Sequence, residues 1–333
     1  MRHFIAFTLL LSACGDKDRE NDTQNELEDA DGDGFTAAND CDDDNPSGWM
    51  TPDQIDGDLT SNFVDICAGY CARSVGGDLA LSEATPEEVA SLGCLTSVDG
   101  DLEISGNPAL TSLSGLAGLS SVSGHLEISG NPALTSLAGL ESVSAVGKRL
   151  IISVNATLTS LSGLDGVSFV GENLVVQGNA ALSSLAGLDR LASVGGFLIV
   201  HNNAELTSLS GLGGLSTIGE DVMVYDNPAL TSLAGLAGLS SVAGNLRVVG
   251  NAALPSLSGL EGVASVVGDV DISENAALAS LADLESLSSV GGDLTVQNNT
   301  ALCEDDVDGL IAQLTSFTGA VTNTDNTGTC PSE

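Results

Sequence analysis

The sequence predicts a mainly β fold, a solenoid of about nine 24-residue coils. Three observations carry the prediction. The stretch from Gly100 to Ser123 returns every 24 residues, without insertion or deletion, to about Leu302. One asparagine marks each return: Asn107, Asn131, Asn155, Asn179, Asn203, Asn227, Asn251, Asn275 and Asn299. Within each repeat the apolar residues first alternate and then recur at every third place. A fixed period of roughly 20–50 residues is the mark of units that bury their apolar faces only by stacking.

With Gly100 as position 1, positions 3 and 5 are apolar almost throughout, as in Leu102 and Ile104 or Leu174 and Val176. Positions 2, 4 and 6 vary. That is strand alternation, with one face inward and one outward. Further apolar residues fall at positions 11, 14, 17, 20 and 23, as in Leu110, Leu113, Leu116, Leu119 and Val122. Small residues separate them and make the corners. The repeated asparagine reads as a corner ladder, its side-chain amide satisfying backbone groups at the strand exit. A row of metal or sugar ligands is the alternative use of such a stack.

The pattern Leu-x-Ile-x-x-Asn-x-x-Leu-x-x-Leu-x-x-Leu resembles the leucine-rich repeat, with one extra residue after the Asn. The 24-residue length and the Gly-Asp-Leu-x-Ile opening resemble more closely the L domains of growth-factor receptors and their bacterial relatives. The resemblance spans about residues 75–330. It implies a right-handed solenoid used for binding rather than catalysis. Nine strands about 4.8 Å apart make a rod of roughly 43 Å.

Ahead of the repeats the chain changes character several times. Residues 1–13 read as a signal peptide, with Arg2 as the positive end and Phe4 to Leu11 as a short apolar stretch. Leu11-Ser12-Ala13-Cys14 resembles the bacterial lipobox, which implies lipidation of Cys14 as the mature N-terminus. Residues 14–28 are charged, with one large apolar residue, and read as a disordered tether of roughly 50 Å at full extension.

Residues 29–58 form an acidic module with ten Asp and no Lys or Arg. Asp29, Asp31 and Asp33 stand at positions 1, 3 and 5 of a loop like that of an EF-hand. Gly34 follows at 6, Phe35 at 7 and Asp40 at 12. Calcium takes six to eight oxygens, and alternating carboxylates around a Gly turn supply them. Ala37 at position 9 and the short Asp40 depart from the EF-hand pattern, and no amphipathic helix precedes the loop. The stretch therefore resembles the helix-free calcium loops of thrombospondin type 3 repeats. Calcium is the expected cofactor, bound weakly at about 10⁻⁴–10⁻³ M.

Residues 59–99 read as an N-terminal cap, since an open solenoid end exposes its core. Thr85-Pro86-Glu87-Glu88 is a capping box that opens a short helix through about Leu92. After the solenoid proper, residues 100–302, the segment Glu304 to Leu314 reads as a second capping helix. It lies in a C-terminal cap of residues 303–333 that ends in an irregular closing coil. Lipidation of Cys14 leaves six cysteines: Cys41, Cys67, Cys71, Cys94, Cys303 and Cys330. An even set outside the repeats of an exported chain suggests disulfides. Cys303 with Cys330 is the expected pair, and Cys94 with Cys67 or Cys71 a second.

The formal net charge of −38 argues against nucleic acid and anionic membrane surfaces as partners. The only membrane contact expected is the lipid anchor, which places the protein on the envelope, at the outer membrane or surface of a Gram-negative bacterium. No nucleophile elbow, phosphate loop or metal–His cluster is present. The one carboxylate pair on the outward strand positions is Glu103 and Glu127, on adjacent coils, without a basic or aromatic platform. The chain therefore reads as a binder and not an enzyme. A ligandless surface spacer is the main alternative, and a polysaccharide-acting enzyme a lesser one. Ile151, Val175, Ile199 and Met223 occupy position 4 of four successive coils, with Phe197, His201 and Tyr225 beside them. Arg149 and Arg247 stand at the margins of this stripe. An apolar stripe with aromatic and Arg neighbours on an acidic surface has the composition of a binding hot spot for a protein or glycan partner.

Overall fold

A computed structural model describes residues 53–61, 63, 66, 67 and 72–330. The chain coils into a parallel β-solenoid. Eleven strands stack into one sheet, beginning with Leu79–Ser82 and Leu102–Ser105 and ending with Leu294–Gln297 and Val321–Thr324. Every pair in this sheet is parallel and joins equivalent positions, as in Leu174 opposite Leu198 and Val176 opposite Val200. The count of turns is therefore about eleven where the repeat alone gave nine. The extra coils are those of Leu79–Ser82 and Val321–Thr324, which begin 23 residues before Leu102 and 27 after Leu294. Both spacings fall outside the strict period. Leu79–Ser82 keeps the inward alternation, with Leu79 and Leu81 buried, whereas Val321–Thr324 is largely exposed and extends the sheet through its backbone pairing. The segment after the C-terminal helix is accordingly a full coil with its own strand.

Shorter strands line a second side. Eight of them run from Asp53–Ile55 to Thr217–Ile218, and four more from Ser241–Val242 to Ser316–Phe317. Inside, each of the eight coils from Gly100 to Gly291 contributes seven apolar side chains. In one central coil these are Leu174, Val176, Leu182, Leu185, Leu188, Leu191 and Val194, all at most 1% exposed. Burying each stabilises the fold by about 1.5–3 kcal/mol. The corners need special backbone. The residue after each strand of the long sheet is left-handed: Gly at four corners, as at Gly106, and a side-chain-bearing residue at the other seven, among them Glu83, Asn202, Asp226 and the β-branched Val154 at φ 55°. At position 16 a Cβ on Gly187 would lie 2.1 Å from the Leu161 carbonyl oxygen, so no side chain fits.

The repeated asparagines are wholly buried. The Asn179 Oδ1 accepts the backbone N–H of Asn155 at 3.0 Å, and the Asn179 Nδ2 donates to the Ile152 carbonyl at 2.9 Å. The same bonds recur at every step. A tenth member, Asn326, takes the Asn299 N–H at 3.1 Å, although it lies 27 residues on. At the other end the N–H of Ala84 bonds to Asn107 at 2.7 Å, and Ala84 carries no amide to pass the ladder on. These amides are saturated by protein, so they present nothing to a metal or sugar.

Both ends are closed. Thr85 caps the helix Pro86–Ala90 in a reciprocal box with Glu88, which holds the Glu88 carboxyl below its usual range. The helix Glu304–Gln313 buries Val307 and Leu310, and Gln313 donates to the carbonyls of Leu284 and Leu287. Cys67 is bonded to Cys94, and Cys303 to Cys330, each across 27 residues of sequence. Each closure stabilises its cap by about 3–4 kcal/mol in the chain-entropy picture. Among the described residues no helix is long and apolar enough to cross a membrane.

Candidate binding face

Several sequence-derived sites lie outside the described residues. These are Cys14, the candidate calcium residues Asp29, Asp31, Asp33, Phe35 and Asp40, and the cysteines Cys41 and Cys71. Among the described residues one cluster has the makings of a metal site: Cys303, Asp305 and Cys330. Its two sulfurs are joined to each other, so neither is a thiolate ligand.

The outward stripe is assembled as the repeat implies. Ile151 lies opposite Val175, Val175 opposite Ile199, and Ile199 opposite Met223. All four are half-buried, because parallel in-register stacking lets each apolar side chain lean on the next. The column ends at Arg247, which follows Met223 and pairs with Asp271 at 3.2 Å. At the other end Glu127 precedes Ile151, and Glu103 precedes Glu127.

Two positions along the strands stands a second column. Gln177, His201, Tyr225 and Val249 lie in successive register. The His201 and Tyr225 rings stack, with centroids 4.5 Å apart and planes 14° from parallel. The His201 Nε2 meets the Gln177 Oε1 at 2.6 Å. With that oxygen as acceptor, Nε2 carries the proton; the buried Nδ1 has no hydrogen-bond partner among the described residues. Burial pushes the imidazole pKa down, and the nearby Asp226 carboxylate opposes the shift in part. His201 is therefore neutral at pH 7. A shallow depression beside the stack is lined by Asn202, Ala204, Asp226, Pro228 and Gly250.

Position 2 holds what the sequence pattern hid. Its residues do not simply project outward. They form a second ladder, in which a side-chain acceptor takes the backbone N–H of the same position on the next coil. Asp78 accepts from Asp101, Asp101 from His125, and the His125 Nδ1 from Arg149. Asn173 accepts from Phe197 at 3.1 Å. Asp221, Asn245, Asp269 and Asp293 continue the run to Ala320. Because Asp, Asn and His all serve, the position looks merely variable in sequence. The ladder fails after Arg149 and after Phe197, neither of which offers an acceptor to the coil that follows. Both interruptions fall beside the apolar column. The Arg149 guanidinium turns instead to Glu172 at 3.2 Å.

The carboxylates of Glu103 and Glu127 are register partners at position 4, and Glu103 accepts from the Ser105 hydroxyl. Neither a basic group nor an aromatic face stands between them in the register. No protein-family model matches the chain, and no curated protein matches it.

Proposed function

We propose that this protein is a non-catalytic recognition rod, held to the cell envelope by a lipid on Cys14 and exported to the outer membrane or surface of a Gram-negative bacterium. Residues 15–28 serve as the tether, and the acidic loop around Asp29, Asp31, Asp33, Phe35 and Asp40 binds calcium. Ten like charges in that module repel one another until a divalent cation neutralises them. The sheet face takes a protein or glycan partner.

One observation carries the proposal. Where four apolar side chains stack in register beside the His201–Tyr225 pair, the position-2 ladder gives up its acceptor twice, at Arg149 and at Phe197. Sheet propensity explains Ile and Val on a strand, but it does not explain the loss of two backbone acceptors next to them. Departures from a stabilising rule concentrate where function demands them. A ligandless spacer has no use for such a departure.

The test is partner capture by the mature chain. Replacing Ile199 and Tyr225 together by Ser abolishes capture while the thermal midpoint stays close to wild type. A double variant that captures everything the wild type does would place the binding face elsewhere.

A further inference from the structure

We infer that the occupant of this face is a protein surface with an apolar centre and a rim of Lys and Arg side chains. The inference rests on the binding reading above and narrows the partner. Three features of the face argue for it.

The first is its size. Four strands about 4.8 Å apart, crossed by positions 2 to 6, make an apolar centre of roughly 14 by 13 Å. A stable protein interface covers about 800 Å² on each partner, several times that area. A partner large enough to hold on must therefore also meet the surroundings.

The second is what the surroundings are. Glu103 and Glu127 stand at one end of the apolar column and the Arg247–Asp271 pair at the other. Glu220 and Asp226 are exposed along its two sides. Each arginine at the margins is matched by one carboxylate at 3.2 Å, Arg149 by Glu172 and Arg247 by Asp271, so the frame's surplus is Glu103, Glu127, Glu220 and Asp226 against the exposed Lys148. The centre itself, Ile151, Val175, Ile199, Met223, Gln177 and Tyr225, holds no carboxylate, ammonium or guanidinium group. A neutral patch within an acidic frame, on a chain of net charge −38, is complementary to an apolar patch within a basic frame.

The third separates protein from glycan. Sugar recognition uses the open face of an aromatic ring, with polar groups set around it. Here the rings of His201 and Tyr225 cover one another at 4.5 Å, and in register Tyr225 is followed by Val249. The stack offers outward edges, which suit apolar side-chain contact, rather than a free platform. An acidic glycan would add repulsion from the frame.

The experiment uses the full mature chain and an array of synthetic peptides. All share one apolar centre, and they differ in flanks that are Lys/Arg, Ser/Gly or Asp/Glu. Basic-flanked peptides bind about tenfold or more tighter than neutral ones, and acidic-flanked ones do not bind. Raising NaCl from about 50 to 200 mM weakens the basic-flanked set about tenfold, since screening acts on the frame. Glu127→Lys with Asp226→Asn weakens the basic-flanked set more than the neutral set. Ile199→Ser with Tyr225→Ser removes both sets. Circular dichroism melts of each variant verify folding. If neutral or acidic flanks bind as well as basic ones, and the Ser double variant removes them, the face is right and the partner chemistry is wrong. If basic peptides bind the Ser double variant unchanged, general acidity is the cause and both readings fall. Binding by no peptide class overturns the inference.

Discussion

The Asn173 Oδ1 accepts the Phe197 N–H at 3.1 Å, and Phe197 returns nothing to the N–H of Asp221 on the next coil. At this step the chain has exchanged a backbone acceptor for an aromatic ring on the outward face. Phe197→Asn restores the acceptor and Phe197→Ala does not. Urea unfolding of the Asn variant exceeds that of the Ala variant by about 1 kcal/mol, the net worth of one hydrogen bond. Both variants lose partner capture. Equal stability of the two would mean that water already satisfies Asp221.

The buried amide ladder makes a steeper prediction. Asn179→Ala strips the Asn155 N–H of its acceptor and the carbonyls of Ile152 and Gln177 of a donor, all at the centre of the rod. Several unpaired buried groups at about 1–3 kcal/mol each give a loss of about 3 kcal/mol or more. The exposed Thr111→Ala stays within about 0.5 kcal/mol of wild type. Comparable urea midpoints for the two would show that the ladder is ornamental.

Val154 is a β-branched, exposed residue held at φ 55°, where other coils place Gly, Asn, Asp or Glu. The left-handed conformation costs an ordinary L-residue about 1–2 kcal/mol. Val154→Asn, the residue found at Asn202 and Asn298, relieves this and stabilises the rod by about 1 kcal/mol. A thermal midpoint at or below wild type would show that Val154 makes contacts worth the strain.

His201 makes stability depend on pH. Its folded-state pKa is lowered from the ordinary value of 6.5, chiefly by burial. The unfolded chain therefore takes up the proton first as pH falls. The neutral imidazole contributes its full stability above about 6.5, and the contribution is lost as pH drops toward the folded-state value. Tyr225, Gln177 and Asp226 face the ring, and of these only Asp226 favours its charged form. The contrast is with His201→Gln, which removes the imidazole and leaves every carboxylate in place. Between pH 7 and pH 5 the wild type loses ground to that variant in midpoint. Parallel pH curves for the two would overturn the assignment.

Much of this architecture was legible because one residue type has no substitute. Only Asn both donates and accepts at the buried corner, so Asn107 to Asn299 announce the register in plain sequence. Thr85 with Glu88, and Cys303 with Cys330, were legible for the same reason. The position-2 ladder was not, because Asp101, His125 and Asn173 do one job with three side chains. The two outer coils were hidden by changes of length. Ala84 replaces the marker at one end, and Asn326 arrives three residues late at the other. Val154 and Glu83 conceal the left-handed corner that Gly106 displays, since backbone conformation is fixed there by the coil and not by residue preference. The stripe from Ile151 to Met223 was legible as a pattern; that Arg149 and Phe197 break a ladder beside it was not.

The uniform joint between coils has a consequence for how such a chain changes over descent. A duplicated 24-residue unit inserted between Asn107 and Asn299 finds the same amide partners above and below, and the two specialised ends need no revision. The rod then grows by about 4.8 Å per copying event. A copy made among the coils that carry Ile151 to Met223 adds one residue to each outward row. Length and footprint can therefore change in whole units by unequal recombination, without a single point substitution in the interior.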